Sequence, residues 1–421
     1  MATISELKEH GLKLFVSGKY IPALQIYDAI VAQQPLDLEA RIRVADCLAA
    51  LGESKAAERV YRAAGWYAIK SGHALCALVV AKILQESGGV ADDLLTGLVM
   101  NYGRESELIG NYAARINSPS EDIDIQAPDL QAGPAADLQA SAGECAATCT
   151  DTFDEYPEVL HPIPLLSGLS EDAFRRVMAT VVVRRMADGQ HAIVEGEAGE
   201  SFFMVASGQV RVYRKGTSGE SEEIATLSEN AVFGEMALLS NQPRSASVVV
   251  VGEADLIELT RSSLHSIADE LSQVATALHE FTHERLLENL MARSPLFAPF
   301  TPVEQRDLLR RFSEHDVAAE TEIIAEGDEG RGIFVVLSGQ LSVIRGQDLL
   351  LATMKTGDVF GEIAVVQKCP TTASVVTDIP STVLFLGAEY VERMMQGVPA
   401  IKQYLETLAK DRVMDTQLTI G

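Results

Sequence analysis

The sequence predicts a multidomain α+β chain: a domain of repeated helices over residues 1–116, an acidic linker over 117–158, and two β-rolls with flanking helices over 159–293 and 294–421. Three observations carry this. Segments bearing glycine, alanine and tyrosine recur 34 residues apart near the N-terminus. No lysine or arginine occurs between Arg115 and Arg175. Beyond that gap, glycine-punctuated β-rich runs appear twice, offset first by 131 residues and then by 127.

In the first region "GKYIPALQIYDAIVAQQP" (Gly18–Pro35) is followed by "GESKAAERVYRAAGWY" (Gly52–Tyr67), so Gly18, Ala23 and Tyr27 map onto Gly52, Ala57 and Tyr61. Glycine permits a tight turn between helices, alanine lets them approach, and tyrosine fills the gap. A third, degenerate pair lies near Ala74–Leu84 and Asp92–Asn101. The period and residue types resemble the tetratricopeptide repeat. That resemblance implies a surface that docks a partner protein or a second copy of the chain, a homo-oligomer; the plainer alternative is a helical bundle. The stretch that follows, "SPSEDIDIQAPDLQAGPAADLQASAGECAATC", is small, acidic and proline-punctuated. Its low hydrophobicity predicts a disordered tether.

The composition, 421 residues with 47% hydrophobic and 22% charged, is that of a globular chain with several domains. A formal net charge of −26 argues against DNA and anionic membrane as partners. The longest apolar run, "ALCALVV" (Ala74–Val80), is far short of the ~20 residues that span a bilayer, so no membrane insertion is expected. "MATISELKEH" has no basic patch followed by an apolar core. Five scattered cysteines (Cys47, Cys76, Cys145, Cys149, Cys369) fit reduced thiols and a cytoplasmic location.

In the β-rich half a helix, "SEDAFRRVMATV" (Ser170–Val181), precedes strands split by glycines, and a second helix spans about Arg261–Arg293. The plan then repeats: "IVEGEAGESFFMVASGQVRV" (Ile193–Val212) aligns with "IAEGDEGRGIFVVLSGQLSV" (Ile324–Val343). "FGEMALLSNQPRSASV" (Phe233–Val248) aligns with "FGEIAVVQKCPTTASV" (Phe360–Val375). A hairpin loop four residues shorter in the second copy accounts for the change of offset.

These stretches resemble the cyclic nucleotide-binding domain of cyclic-AMP-dependent kinase regulatory subunits and bacterial catabolite activators, over about Leu160–Leu290 and Pro295–Lys410. The second stretch resembles that family's phosphate-binding cassette. The resemblance implies a cyclic mononucleotide ligand at Phe233, Gly234, Glu235, Met236, Ala237, Arg244, Ser245 and Ala246. The residue types suit the chemistry. The Arg244 guanidinium fits the exocyclic phosphate oxygens as a charged fork, and Glu235 accepts from the ribose 2′-hydroxyl. Backbone N–H groups over Gly234–Ala237, at the start of a short helix, favour an anion. Gly234 allows close backbone approach, and Ser245 and Ala246 are small. The hydroxyl after the arginine leaves cyclic GMP open beside cyclic AMP, the first choice by resemblance. Thr276 and Thr282 are candidates for the lid over the base.

In the second copy Thr371 stands where the first has Arg244, while Gly361 and Glu362 remain. The corresponding set is Gly361, Glu362, Ile363, Ala364, Thr371 and Thr372. Threonine cannot neutralise a phosphate, so this site is expected to be weak or empty for cyclic mononucleotides. Lys368 is the nearby cation that could substitute.

"HEFTH" (His279–His283) matches a zinc-hydrolase helix motif, with Glu280 as base. It falls on a linking helix with no third ligand placed, so catalysis and bound metal are not expected. Cys145 and Cys149 lack the companions of a metal site. No helix-turn-helix follows the second roll before "QLTIG", and the linker offers no basic kinase-inhibitor segment. The expected function is a cytoplasmic cyclic nucleotide sensor and signalling adaptor, non-enzymatic and without a cofactor. Its rival is a scaffold whose rolls bind nothing.

Overall fold

The computed structural model describes residues 1–421 except 111, 131–134, 216–220, 236–242, 271, 347–348 and 421. It divides into two compact units, Met1–His279 and Glu280–Gly421. The division falls inside the helix Ser272–Arg293, whereas the sequence places a domain boundary at its end.

The first unit begins with three helix pairs: α1 (Ile4–Val16) and α2 (Tyr20–Gln33), α3 (Leu38–Ala50) and α4 (Ser54–Ser71), α5 (Ala74–Glu86) and α6 (Asp92–Tyr102). The first helix of each pair ends the same way. Gly18, Gly52 and Gly88 take φ of +73°, +88° and +81°. The next residue donates back across the last turn: Lys19 N to Leu14 O, Glu53 N to Leu48 O, and Gly89 N to Leu84 O, at 2.9, 2.9 and 2.8 Å. Such left-handed caps satisfy the orphan carbonyls and reverse the chain. The third pair therefore shares this turn, although its sequence is degenerate. Ala23, Tyr27, Ala57 and Tyr61 are all buried between helices, as their spacing predicts.

The linker is a correction. Residues Asp124–Ile125 form a strand (β2) paired with β1 (Ala2–Thr3). Ala135–Thr148 forms a helix, α7, packed on α2, α3 and α4. Ala142 and Ala146, one turn apart, are fully buried. A Cβ on Gly143 would lie 3.5 Å from Ala56 and Leu48, so this face approaches the other helices closely. The fully buried Arg41 donates from Nε to Ala146 O at 3.2 Å and lies over the Tyr67 ring, against which Phe153 and Tyr156 also pack. The segment is too poor in large apolar groups for a core of its own; it orders by docking on one already built.

Next comes α8 (Glu171–Thr180), then the first roll: β3 (Val182–Ala187), β4 (His191–Ile193), β5 (Ser201–Lys215), β6 (Ser221–Leu227), β7 (Val232–Phe233) and β8 (Ser247–Thr260). The antiparallel order is β3-β8-β5-β6, with β4 on β8 and β7 on β5. Strand β5 turns its corner at Gly208, φ +80°, where a Cβ would sit 2.0 Å from Glu253 O. Phe203, Val205, Phe233, Val250 and Leu256 are among the side chains that fill the roll. Helices α9 (Arg261–Glu270) and α10 (Ser272–Arg293) follow.

The helical array is docked on this roll within the same unit. Helix α5 packs on β5 and β8, and the Cys76 thiol donates to Ala206 O at 2.8 Å. Arg185 of β3 meets the buried Asp46 of α3 with two nitrogens, at 2.8 and 2.9 Å, and Asp255 of β8 at 3.0 Å. Arg43 of α3 pairs with Asp46 and with Glu253.

The second unit repeats the roll as two four-stranded antiparallel sheets, ordered β10-β15-β12-β13 and β14-β11-β16-β9. The strands are β9 (Ser313–Val317), β10 (Glu322–Ile324), β11 (Gly332–Ser338), β12 (Gln340–Arg345), β13 (Leu349–Lys355), β14 (Val359–Phe360), β15 (Ser374–Thr377) and β16 (Ser381–Gly387). Gly339, φ +103°, breaks β11 from β12 at the place where Gly208 bends β5. Helix α11 (Pro302–Leu309) precedes this roll, the short α12 (Glu362–Gln367) lies within it, and α13 (Ala388–Gly397) and α14 (Pro399–Ile420) close the chain.

Candidate functional site

Both rolls build the same backbone cradle. Phe233 stacks on Phe203 at 5.2 Å and Phe360 on Phe334 at 5.0 Å. Each pair fixes the strand that leads into the cassette. Gly234 and Gly361 follow with φ of +77° and +82°, a backbone that side chains disfavour. The next residue, Glu235 or Glu362, is buried.

The other wall is equally matched. Arg244 N donates to Glu197 O at 2.8 Å and Gly196 N to Arg244 O at 2.9 Å. Thr371 N donates to Asp328 O and Gly327 N to Thr371 O, both at 2.9 Å. Ser247 accepts from Glu195 N as Ser374 does from Glu326 N, each at 3.0 Å. Thr371 therefore occupies the backbone position of Arg244, as the alignment expects.

In the first roll the Arg244 guanidinium turns inward. Nη1 donates to Gly234 O at 2.9 Å and Nη2 to Ser201 O at 2.6 Å. It bridges the glycine of the cassette to the first residue of β5. Burial pushes its pKa down, while Glu235 and Glu258 oppose that shift. A Cβ on Gly234 would lie 2.9 Å from Arg244 Nη1, so the glycine makes room for the guanidinium. The structure thus gathers Phe233, Gly234, Glu235 and Arg244; Ser245 is exposed and Ala246 half-buried beside them. Met236 and Ala237 lie outside the described residues. The Thr276 hydroxyl turns back to Ser272 O of its own helix, and Thr282 belongs to the other unit.

In the second roll a pocket of about 130 Å³ is lined by Phe360, Glu362, Thr371, Thr372 and Arg412 among others. Gly361, Ile363 and Ala364 also line it. The Thr371 hydroxyl donates to Ala325 O and Asp328 O. Sequence reasoning missed Arg412, which comes from α14. Its Nη1 donates to Glu362 Oε1 at 2.9 Å and to Val359 O, and its Nη2 lies 3.7 Å from Met354 Sδ. Burial raises the Glu362 pKa, and Arg412 counters it. Lys368 does not take the missing arginine's place; it pairs with Glu392 at 3.2 Å on the exposed surface.

The Arg412–Glu362 pair gives a stability prediction. Arg412→Ala leaves a buried carboxylate without its cation and is expected to cost about 1–2 kcal/mol. Adding Glu362→Gln should return most of the loss. Thermal unfolding of the three proteins checks this; a double variant no better than the single would refute it.

The family model of the cyclic nucleotide-binding domain matches residues 183–270 and 314–397. The chain carries two cyclic nucleotide-binding domains in tandem. The cyclic-AMP-dependent protein kinase regulatory subunit of Neurospora crassa is 28% identical over 265 residues, covering 61% of this chain and 67% of that protein. Its counterpart from Hypocrea atroviridis is 28% identical over 246 residues, covering 56% and 51%. The chain thus spans from about half to two thirds of these relatives' length. A crystal structure of the regulatory domain of Toxoplasma gondii PKA with cyclic AMP matches at 22% identity and a TM-score of 0.28, over 59% of this chain and 92% of that one. These relatives are regulatory subunits rather than catalytic enzymes.

The zinc-hydrolase motif lies on α10. His283 Nδ1 lies 3.4 Å from Glu314 Oε1. Among the described residues no three His, Cys, Asp or Glu side chains gather as a metal site, and no helix is long and apolar enough to cross a membrane.

Proposed function

We propose that the chain is a cytoplasmic sensor of a cyclic mononucleotide, cyclic AMP first, with the ligand bound in the first domain. The observation that supports this most is the inward Arg244 guanidinium, set between Gly234 O and Ser201 O with Glu235 buried next to the glycine. A ring phosphate takes the guanidinium fork, and the ribose hydroxyl takes Glu235. The second domain holds a neutral threonine at the phosphate position and spends its retained carboxylate on Arg412. It serves as a structural or relay domain. The helical array carries the signalling role, meeting a partner protein or a second copy. With α5 on the roll, α2, α3 and α4 on α7, and α6 on α8, the surface proposed for that contact is on α1.

The relatives named above regulate a kinase. The segment between Arg115 and Arg175 contains no lysine or arginine, so it offers no basic pseudosubstrate, and a different effector is proposed here. The test is thermal unfolding with cyclic AMP, cyclic GMP and 5′-AMP. A ligand at a hundred times its Kd raises stability by about 2.7 kcal/mol. Stabilisation by cyclic AMP above the other two is expected. No shift with either cyclic nucleotide would leave the scaffold alternative standing.

A further inference from the structure

We propose that Glu229 is a positioning residue through which the N-terminal helices set the ligand affinity of the first domain; this rests on the reading that this domain binds cyclic AMP. Glu229 lies in the turn between β6 and β7, six residues before the cassette glutamate Glu235, which is reached through Val232–Phe233–Gly234. The turn is firmly built. Asn230 takes φ +69°; its N–H donates to Val205 O at 2.9 Å, and Val205 N donates to Ala231 O at 2.9 Å. Val232 and Phe233 then pair with Met204 and Phe203. Movement of this turn is therefore movement of the cassette's leading strand.

The Glu229 side chain points away from the roll, into the helical array. Its Oε1 is 2.6 Å from His73 Nδ1, and its Oε2 is 3.1 Å from Arg115 Nη1. His73 is 5% exposed, stands at the start of α5, and has its other ring nitrogen 2.8 Å from Ile116 O. Both ring nitrogens face acceptors. Arg115 is held in turn: Ile116 N donates to Ser71 O at 2.9 Å, and Gly72, φ +95°, admits the chain so closely that a Cβ there would lie 2.7 Å from the Arg115 Cβ. A carboxylate on the cassette's leading turn is thus clamped by the His73 imidazole and the Arg115 guanidinium from one junction, α4–Gly72–α5 with Arg115–Ile116.

The direction of the effect follows from Arg244. In the clamped form its terminal nitrogens are committed to Gly234 O and Ser201 O. A phosphate must win those donors, which requires the Gly234 backbone to shift. The clamp holds the strand that ends at Gly234, so it stabilises the form in which the guanidinium is engaged with the protein. Releasing the clamp raises the population of the ligand-accepting form, and apparent affinity rises with it. By reciprocity, the ligand loosens the clamp.

The experiment is calorimetric titration of the full chain with cyclic AMP, comparing wild type with Glu229→Gln and with Arg115→Gln. Glu229→Gln is expected to bind about tenfold more tightly, within the usual span of coupling between sites, and Arg115→Gln severalfold. Arg115 is partly exposed, so its variant keeps the test open should the buried one unfold. Hydrogen exchange on the wild type supplies a second readout: cyclic AMP should speed exchange at the amides of Ile116 and Ala77, at either side of His73. Wild-type binding with unchanged or weaker affinity in both variants overturns the coupling alone. A wild type that gives no heat overturns the ligand assignment and the coupling together.

Discussion

Replacing Arg244 by threonine is expected to weaken cyclic AMP binding about a hundredfold, measured by calorimetry on the full chain. Truncating one side of a buried, hydrogen-bonded charge pair costs about 2–5 kcal/mol, and 2.7 kcal/mol is a factor of one hundred. The usual difficulty with such a variant is that Arg244 also fastens Gly234 to Ser201, so a loss of binding could report a collapsed cassette. The second domain answers this. There Thr371 holds the same backbone frame, with Gly327 and Asp328 in the places of Gly196 and Glu197, and the Phe360–Phe334 stack and the left-handed Gly361 persist. A cradle with threonine at this position is one the chain already builds. The melting temperature of Arg244→Thr should therefore stay near that of wild type while its affinity falls. Arg244→Lys separates charge from shape. The ammonium keeps the charge but not the fork, so a loss of about tenfold is expected. Affinity unchanged in Arg244→Thr would remove the guanidinium from the ligand contact.

The features that were legible in the sequence are those written in local pattern. Gly208 and Gly339 mark the roll corners, and the 131- and 127-residue offsets align the two cassettes well enough that Thr371 falls on the backbone position of Arg244. Gly18 and Gly52 mark the helix turns; Gly88 was equally available, but its surroundings are too altered for the period to show it. The features that were not legible depend on distant partners. Asp46 and Arg185 look like ordinary surface charges, and their bond joins residues 139 apart. Glu362 and Arg412 are 50 apart, and Arg412 falls just past the segment the alignment covers. Helix α7 hides for a different reason. Its buried face is alanine and glycine, so a hydrophobicity criterion scores it as tether, although the same small side chains are what let it lie so close to its neighbours.

Replacing Arg185 by alanine is expected to lower the stability of the first unit by about 2–3 kcal/mol at pH 7. Asp46 is 5% exposed and receives two hydrogen bonds from Arg185, one from Arg43 and one from Tyr61. Losing Arg185 strips half of those donors and leaves Asp255 with the Ser207 hydroxyl. The loss falls short of the full cost of a buried unpaired carboxylate, because Arg43 remains and Arg185 is itself partly exposed. In a unit of this size it should appear as a fall of roughly 4–12 °C in the melting temperature. Acid gives an independent readout. Burial alone would raise the Asp46 pKa, but Arg185, followed by Arg43 and Tyr61, outweighs it and holds the carboxyl below its ordinary value. A carboxyl whose folded pKa is depressed contributes stability that is complete above the unfolded value of about 3.9 and is lost as the pH falls through the folded value. Wild type should therefore hold this contribution down to about pH 4, whereas Arg185→Ala, lacking the main cause of the depression, should begin with less and show a shallower loss below it. The paired variant Arg185→Met with Asp46→Asn removes both charges together and should recover most of the stability, since apolar or neutral replacements of a buried pair are often tolerated. If the pair melted no higher than Arg185→Ala, the junction between helices and roll would rest on packing such as that of α5 on β5 and β8, and the ionic latch would be incidental to it.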